Sequence, residues 1–170
     1  MRRSHLLVVG LVACQPNTSR PSFAPLPDAA GTEVRLPVRD ATRHLAEDLK
    51  ASSIPIRKVM IQDGYLESGW FSAQTGRPTS ARPLGTGTVR VRAWADPTRP
   101  GSSLLSVETS YRPAADPSLP ERELDRQVPG DHPVARKVSD VLKKMVERYG
   151  GPPPPPSQPP ATPAATSGDQ

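Results

Sequence analysis

The sequence contains little of the material from which metal and cofactor sites are built. Its 170 residues include one cysteine and three histidines, and only 4% of them are aromatic. One cysteine excludes an internal disulfide and a cysteine-rich zinc site, and three histidines disfavour a histidine-based metal centre. We therefore expect no bound metal and no cofactor.

Long apolar runs and blocks of one charge are also missing. The apolar run at residues 6–13 has eight residues, whereas a transmembrane helix needs about 20. The formal charge is +5 at pH 7, but basic and acidic residues alternate along the chain and do not cluster. This pattern gives no support to nucleic-acid binding, and we predict no nucleic-acid partner.

Common catalytic motifs are absent as well. The chain has no GxSxG, SxxK or HExxH motif and no glycine-rich phosphate loop. Strand alternation and turns already explain the acidic pairs that glycoside chemistry would use, Glu67 with Asp63 and Glu108 with Asp96. The acidic segment 116–125 lacks the pattern of a known Ca²⁺ loop. We predict no catalytic residues and no enzymatic activity.

Proline is abundant and unevenly placed. It accounts for 23 of 170 residues, against an average near 5%, and eight prolines lie in residues 152–170. Residues 14–30 are also rich in proline and show no helix or strand period, which predicts a flexible tether on the order of 50 Å long. Residues 152–170 predict a disordered tail. The ordinary composition of residues 31–151 predicts one folded domain.

Hydrophobic periodicity predicts the fold class of that domain. Apolar alternation predicts strands at 33–38, 56–61, 65–72, 86–95 and 104–112, and helical spacing predicts helices at 40–52 and 131–149, capped by Asp40 and Asp131. The order β-α-β-β-β-β-α with tight turns predicts an antiparallel sheet of four to five strands, packed by the long C-terminal helix. The fold class is therefore an α+β two-layer sandwich. An ion pair from Arg90 or Arg92 to Glu108 is expected across two strands.

Large side chains alternate with valines on the clearest predicted strand. If the valines face the helices, Arg90, Arg92 and Trp94 lie on the open face of the sheet. Tryptophan and arginine are enriched at protein interfaces. Together with Trp70, these residues form a predicted interaction surface. The alternative is that Trp94 packs under the loop at 73–85.

The N-terminus carries a targeting signal. Two arginines precede the apolar run, as in a secretory signal peptide spanning residues 1–13. The run ends in a motif that resembles the lipobox of bacterial lipoproteins, formed by Leu11, Val12, Ala13 and Cys14. The resemblance implies cleavage before Cys14, acylation of Cys14 and, with Gln15 following, sorting to the outer membrane. We expect the protein on the periplasmic side of that membrane, with exposure at the cell surface as the alternative. The alternatives are an ordinary cleaved signal and a buried N-terminal strand.

The folded part resembles a second family. Residues 54–59, IPIRKV, and 63–71, DGYLESGWF, are similar to the helix-grip domains of BamC-like lipoproteins, accessory subunits of the outer-membrane β-barrel assembly machine. The resemblance covers about residues 33–112 and 131–149. It implies a single helix-grip domain and a non-enzymatic role as an accessory or scaffold subunit, with a protein partner in the envelope.

A second function stays open on the sequence. The sheet and the long helix of a helix-grip fold sometimes enclose a small apolar or amphiphilic ligand. That function predicts a cavity on the order of several hundred Å³ between sheet and helix. An interaction protein instead predicts an exposed surface of aromatic and arginine side chains.

Overall fold

The computed structural model describes residues 20–80 and 84–150, which fold around one antiparallel sheet. The elements are β1 (Ala30–Val34), α1 (Val38–Ala51), β2 (Ile56–Met60), β3 (Tyr65–Ser68), β4 (Phe71–Ser72), β5 (Gly85–Pro97), β6 (Ser103–Arg112), α2 (Glu121–Leu124), β7 (Arg126–Gln127) and α3 (Pro133–Tyr149). The strand order is β1-β6-β5-β3-β2, with β4 beside β5 and β7 beside β6. The predicted α+β class is confirmed.

The sheet has seven strands, whereas the sequence predicts four to five. The predicted strand at 65–72 is interrupted at Gly69 and Trp70, so that β3 and β4 pair with different parts of β5. At this point the Ser68 hydroxyl accepts a hydrogen bond from the Val91 amide (2.8 Å), in place of a backbone partner. The other additional strand, β7, has two residues and is too short to show alternation.

Two helices fill one face of the sheet. The buried helix residues are Ala41, Thr42, Leu45, Ala46 and Leu49 on α1 and Val134, Ala135, Val138, Val141, Leu142 and Met145 on α3. They meet a sheet surface that includes Leu66, Val91, Ala93, Leu105 and Val107. Met145 and Leu49 are completely buried, so this interior is closely packed.

Both helices begin at residues other than the predicted caps. Pro37 precedes α1 with φ −58°, and the helix starts at once, which places Asp40 inside the first turn. The N-cap of α3 is His132 rather than Asp131, because the His132 Nδ1 accepts from the Val134 amide at 3.3 Å. A histidine ring can cap a helix as an aspartate does when its ring nitrogen carries a free lone pair.

Residues 20–28, which we call the strap, cover the face of the sheet opposite the helices. At one end, Arg20 donates to the Asp63 carbonyl oxygen (3.3 Å) and pairs with Asp96 (2.8 Å), next to the turns that end β2 and β5. At the other end the chain enters β1. The boundary of the predicted tether, 14–30, is therefore corrected, because the chain packs against the sheet from residue 20 onwards.

Candidate functional site

Two fully buried carboxylates lie beneath the strap. Glu108 on β6 and Asp125 before β7 are both 0% exposed. Arg92 on β5 lies opposite Glu108, and its Nη1 donates to Glu108 Oε1 at 2.9 Å and to Asp125 Oδ2 at 3.1 Å. Arg90 donates to Asp125 Oδ2 at 2.6 Å. The predicted cross-strand pair is confirmed, and both buried carboxylates are neutralised by arginines.

The strap is fastened to this ion network. Arg122 on α2 donates to both carboxylate oxygens of Glu108, at 2.7 and 2.9 Å, and also to the Ala24 carbonyl oxygen at 2.6 Å. The Leu26 amide donates to Glu108 Oε2 at 2.9 Å. The Phe23 ring lies 4.6 Å from the Arg122 guanidinium carbon. Glu108 therefore joins strap, sheet and α2 through one carboxylate.

The strap also buries Trp94, which is 1% exposed. Its ring makes edge-to-face contacts with Phe23 at 6.1 Å and Tyr65 at 5.5 Å between centroids. The Tyr65 hydroxyl donates to Glu67 at 2.6 Å, and burial together with this hydrogen bond raises the pKa of Tyr65 well above its ordinary value. The prediction that Arg92 and Trp94 form an exposed interaction surface is wrong, because the strap covers them.

The other half of the predicted surface, Trp70 and Arg90, lies beyond the strap and lines a groove. The Arg90 guanidinium carbon is 4.6 Å from the centre of the Trp70 ring, and that of Arg112 is 5.4 Å away. The groove has a volume of about 520 Å³ and is also lined by Arg57, Glu67, Ser68, Gly69, Thr79 and Ser80. We call it the Trp70 groove. The sequence pattern singles out neither Arg57 nor the hydroxyls of the loop.

Two hydrogen-bond donors of the Trp70 groove have no acceptor within residues 20–80 and 84–150. Trp70 is 9% exposed, and its indole Nε1 is buried without a partner. The Nε of Arg90 is in the same state, although its Nη2 pairs with Asp125. Buried donors are usually satisfied, so an acceptor that reached these two groups from the groove would gain their hydrogen bonds.

A second groove runs between β1 and α3. Its volume is about 390 Å³, and its lining includes Ala30, Thr32, Leu142, Lys143, Val146 and Glu147. A smaller hollow of about 190 Å³ adjoins it and shares Ala30 and Ser139. The lining of the second groove combines apolar and charged side chains, as the binding of an amphiphilic molecule requires.

The acidic pairs considered for catalysis are used structurally. Glu108 is buried in the ion network, and Asp96 pairs with Arg20. Glu67 accepts from the Tyr65 hydroxyl at 2.6 Å.

Two carboxylates of the acidic segment at 116–125, Asp116 and Asp125, pair with other groups of the protein. Asp116 accepts from the amide and the hydroxyl of Ser118, at 2.9 and 2.6 Å, and these hydrogen bonds lower the pKa of Asp116. Asp125 is neutralised by Arg90 and Arg92. Among the described residues there is no group of three or more His, Cys, Asp or Glu side chains that could hold a metal ion.

No protein-family model matches this chain, and no curated protein matches its sequence. Within residues 20–80 and 84–150, no helix combines the length and the apolar character needed to cross a bilayer. The predicted lipobox residues Leu11, Val12, Ala13 and Cys14 and the proline-rich tail lie outside the described residues.

Proposed function

We propose that the chain is a lipid-anchored envelope protein that acts without catalysis, as an accessory subunit that holds a protein partner in the Trp70 groove. The anchor is the acylated Cys14, and the protein faces the periplasm from the outer membrane. The single observation that carries the binding role is the cluster of buried, unpaired donors at Trp70 and Arg90 beside an open groove. Pairing such donors with a partner's oxygens would give affinity and specificity together.

The short distance between Cys14 and the strap supports a role close to the membrane. Arg20 follows Cys14 by six positions, and a fully extended chain of that length spans about 20 Å. The domain would therefore lie near the lipid surface, well inside the 50 Å expected for a tether that reached residue 30. The anchor would limit the partners to proteins of the same membrane or its immediate neighbourhood.

The position of the groove supports a partner other than the anchoring lipid. Arg20 lies beside the β2–β3 turn, whereas Trp70 lies just after the opposite end of β3. Between these two ends, β3 has four residues, which corresponds to about 13 Å along a strand. The Trp70 groove would thus be held away from the bilayer and open towards the periplasm.

The buried side chains support binding in preference to catalysis. The arginines beneath the strap are paired with Glu108 and Asp125, which leaves these carboxylates inaccessible to a substrate. In the Trp70 groove, the Ser68 hydroxyl accepts from the Val91 amide and lies within hydrogen-bond distance of the Gly69 carbonyl oxygen. A hydroxyl held in this way is a poor nucleophile, because it lacks an adjacent general base.

Purification from crosslinked envelopes tests this function. The tagged wild-type protein would be extracted in mild detergent and compared with Cys14→Ser, which removes the acylation site, and with Arg57→Glu, which reverses a charge in the groove. Arg77→Glu is the matched control, because Arg77 is an exposed arginine outside the groove lining. Co-purified proteins would be quantified by mass spectrometry.

We expect one envelope protein to be recovered in a fixed ratio with the wild type and with Arg77→Glu. Its recovery should fall with Cys14→Ser, which loses the membrane location, and with Arg57→Glu, which keeps it. Recovery of the protein alone, or equal recovery with both arginine variants, would contradict the proposed use of the groove.

The groove between β1 and α3 favours a second candidate function, the binding of a small amphiphilic ligand. Leu142 and Val146 offer an apolar surface, and Lys143 at the rim can pair with an anionic head group. Val146 is 40% exposed, so a Val146→Arg substitution would obstruct the groove and leave the core intact.

Titration with a dansylated fatty acid tests the second candidate. Saturable binding by the wild-type protein that is lost in Val146→Arg would support it. Equal fluorescence enhancement by both proteins would show that the probe binds elsewhere.

A further inference from the structure

The charges of the Trp70 groove select the kind of group that it can accept. Its described lining contains two arginines, Arg57 and Arg90, and one carboxylate, Glu67. Glu67 lies opposite Lys58 on the neighbouring strand, and Lys58 offsets its negative charge. Asp125, the partner of Arg90, is also paired with Arg92, so the arginines of the lining outweigh the carboxylate and the groove presents a positive potential to a ligand.

The hydrogen-bonding groups of the groove also favour a negatively charged ligand. The indole Nε1 of Trp70 and the Nε of Arg90 can only donate, and neither has an acceptor among the described residues. Arg57 is exposed and forms no ion pair within that part of the chain. A ligand that complements these groups must bring acceptor oxygens and a negative charge, which a carboxylate provides.

Both unpaired donors are shielded from water, so an acceptor reaches them only if the groove widens slightly. Arg90 lies on β5, whereas Ser80 lies in a loop and is exposed. A movement of the Ser80 side chain would widen the groove while the Thr79 amide keeps its hydrogen bond to the Trp70 carbonyl oxygen (2.9 Å). The environment of the Trp70 indole would then change when a ligand binds.

We propose that the Trp70 groove binds a carboxylate of an acidic segment of the protein partner, with Arg57 and Arg90 as the countercharges and the Trp70 indole as a hydrogen-bond donor. This inference rests on the proposed function and gives the partner's chemistry. A protein segment fits better than a free anion, because the groove of about 520 Å³ is much larger than one carboxylate and its lining includes the hydroxyls of Thr79 and Ser80.

The two indole N–H groups of the chain allow a direct test by ¹⁵N NMR. The sequence has two tryptophans, and Trp94 is buried under the strap, so its indole resonance is an internal control in the same spectrum. Trp70→Phe assigns the two resonances. The full chain, purified in mild detergent, would be titrated with a hexaglutamate peptide, a hexaglutamine peptide and acetate at low ionic strength.

We expect hexaglutamate to move the Trp70 indole resonance saturably and to leave the Trp94 resonance in place. Arg57→Gln should weaken binding about fivefold, as for loss of one partly solvated ion pair, and Arg77→Gln should leave it unchanged. An equal response to hexaglutamine, acetate binding as tight as that of hexaglutamate, or equal weakening by both arginine variants would each overturn the inference.

The inference and the proposed function fail separately. If hexaglutamate leaves the Trp70 resonance unmoved while the envelope partner is still lost from Arg57→Glu, the carboxylate is the wrong ligand and the groove remains the binding site. If neither experiment depends on Arg57, the groove itself is the wrong site.

Discussion

Replacing Glu108 with glutamine tests whether the buried ion network stabilises the domain and holds the strap in place. Glu108 is 0% exposed and accepts hydrogen bonds from Arg92, Arg122 and the Leu26 amide at 2.7–2.9 Å. The Glu108→Gln variant keeps the shape of the side chain but removes its charge and replaces one acceptor oxygen with a donating amide. It therefore leaves the buried Arg92 and the half-buried Arg122 each without one charged partner.

The expected loss of stability is about 3–5 kcal/mol, the usual cost of removing one partner from a buried pair. Domains of this size are stable by about 5–15 kcal/mol, so the variant should fold but unfold much more readily. In urea, a loss of about 4 kcal/mol corresponds to a midpoint about 2 M lower. Glu147→Gln, an exposed glutamate on α3, is the matched control and should change stability by less than about 0.5 kcal/mol.

Hydrogen exchange gives an independent measurement of the same contact. The Leu26 amide loses its charged acceptor in Glu108→Gln, so its protection should fall more than that of the core strands. A loss of stability below 1 kcal/mol, or unchanged protection at Leu26, would refute the conclusion that Glu108 fastens the strap.

Three further predictions follow from single contacts. Phe23→Ala should expose Trp94, because the two ring centroids lie 6.1 Å apart. The free energy of unfolding should fall by about 1–2 kcal/mol, and tryptophan emission should shift to the red. An unshifted spectrum would contradict the covering role of the strap. Gly64→Ala should lower the free energy of unfolding, measured by chemical denaturation, by more than about 2 kcal/mol. The reason is that Gly64 has φ +63° and that an added Cβ would overlap the Ala95 carbonyl oxygen. Near-wild-type stability would be inconsistent with this backbone. The pKa of Tyr65 is raised in the folded state, so its contribution to stability is complete below pH 10. Above pH 10 that contribution decreases by up to about 1.4 kcal/mol per pH unit. In Tyr65→Phe, the free energy of unfolding should therefore fall less steeply between about pH 9 and pH 11 than in the wild type.

The regular elements of the fold could be predicted because their signals are local. Alternation in residues 86–95 and 104–112 predicts β5 and β6, and the apolar stripe ending at Tyr149 predicts α3. The two short strands could not be predicted in this way, because two residues do not define a period.

The strap could not be predicted from its own sequence. Its contacts are made by the Leu26 amide, the Ala24 carbonyl oxygen and one aromatic ring, Phe23, all of which pair with residues far along the chain. Such contacts leave no periodic pattern in a proline-rich segment. The same cause explains why the sequence predicts an exposed Trp94, since alternation places a side chain on a face but does not show what covers that face.

The candidate site was predictable in part. Trp70 and Arg90 follow from residue type and strand alternation, and both line the groove. Arg57 joins them because β2 has an irregular register between Ile56 and Lys58, which strand alternation does not anticipate. The side-chain direction of a residue in irregular backbone depends on tertiary contacts, so the sequence pattern does not predict it.

Site-specific photo-crosslinking in intact envelopes tests the central claim most directly. A benzophenone amino acid would be placed at Ser80, which lines the Trp70 groove, and at Lys50, an exposed position on α1 outside the groove lining. We predict one discrete adduct from position 80, none from position 50, and loss of the adduct when Cys14→Ser is added. Adducts of equal yield from both positions, or an adduct from position 80 that persists without Cys14, would contradict a lipid-anchored protein that binds its partner through this groove.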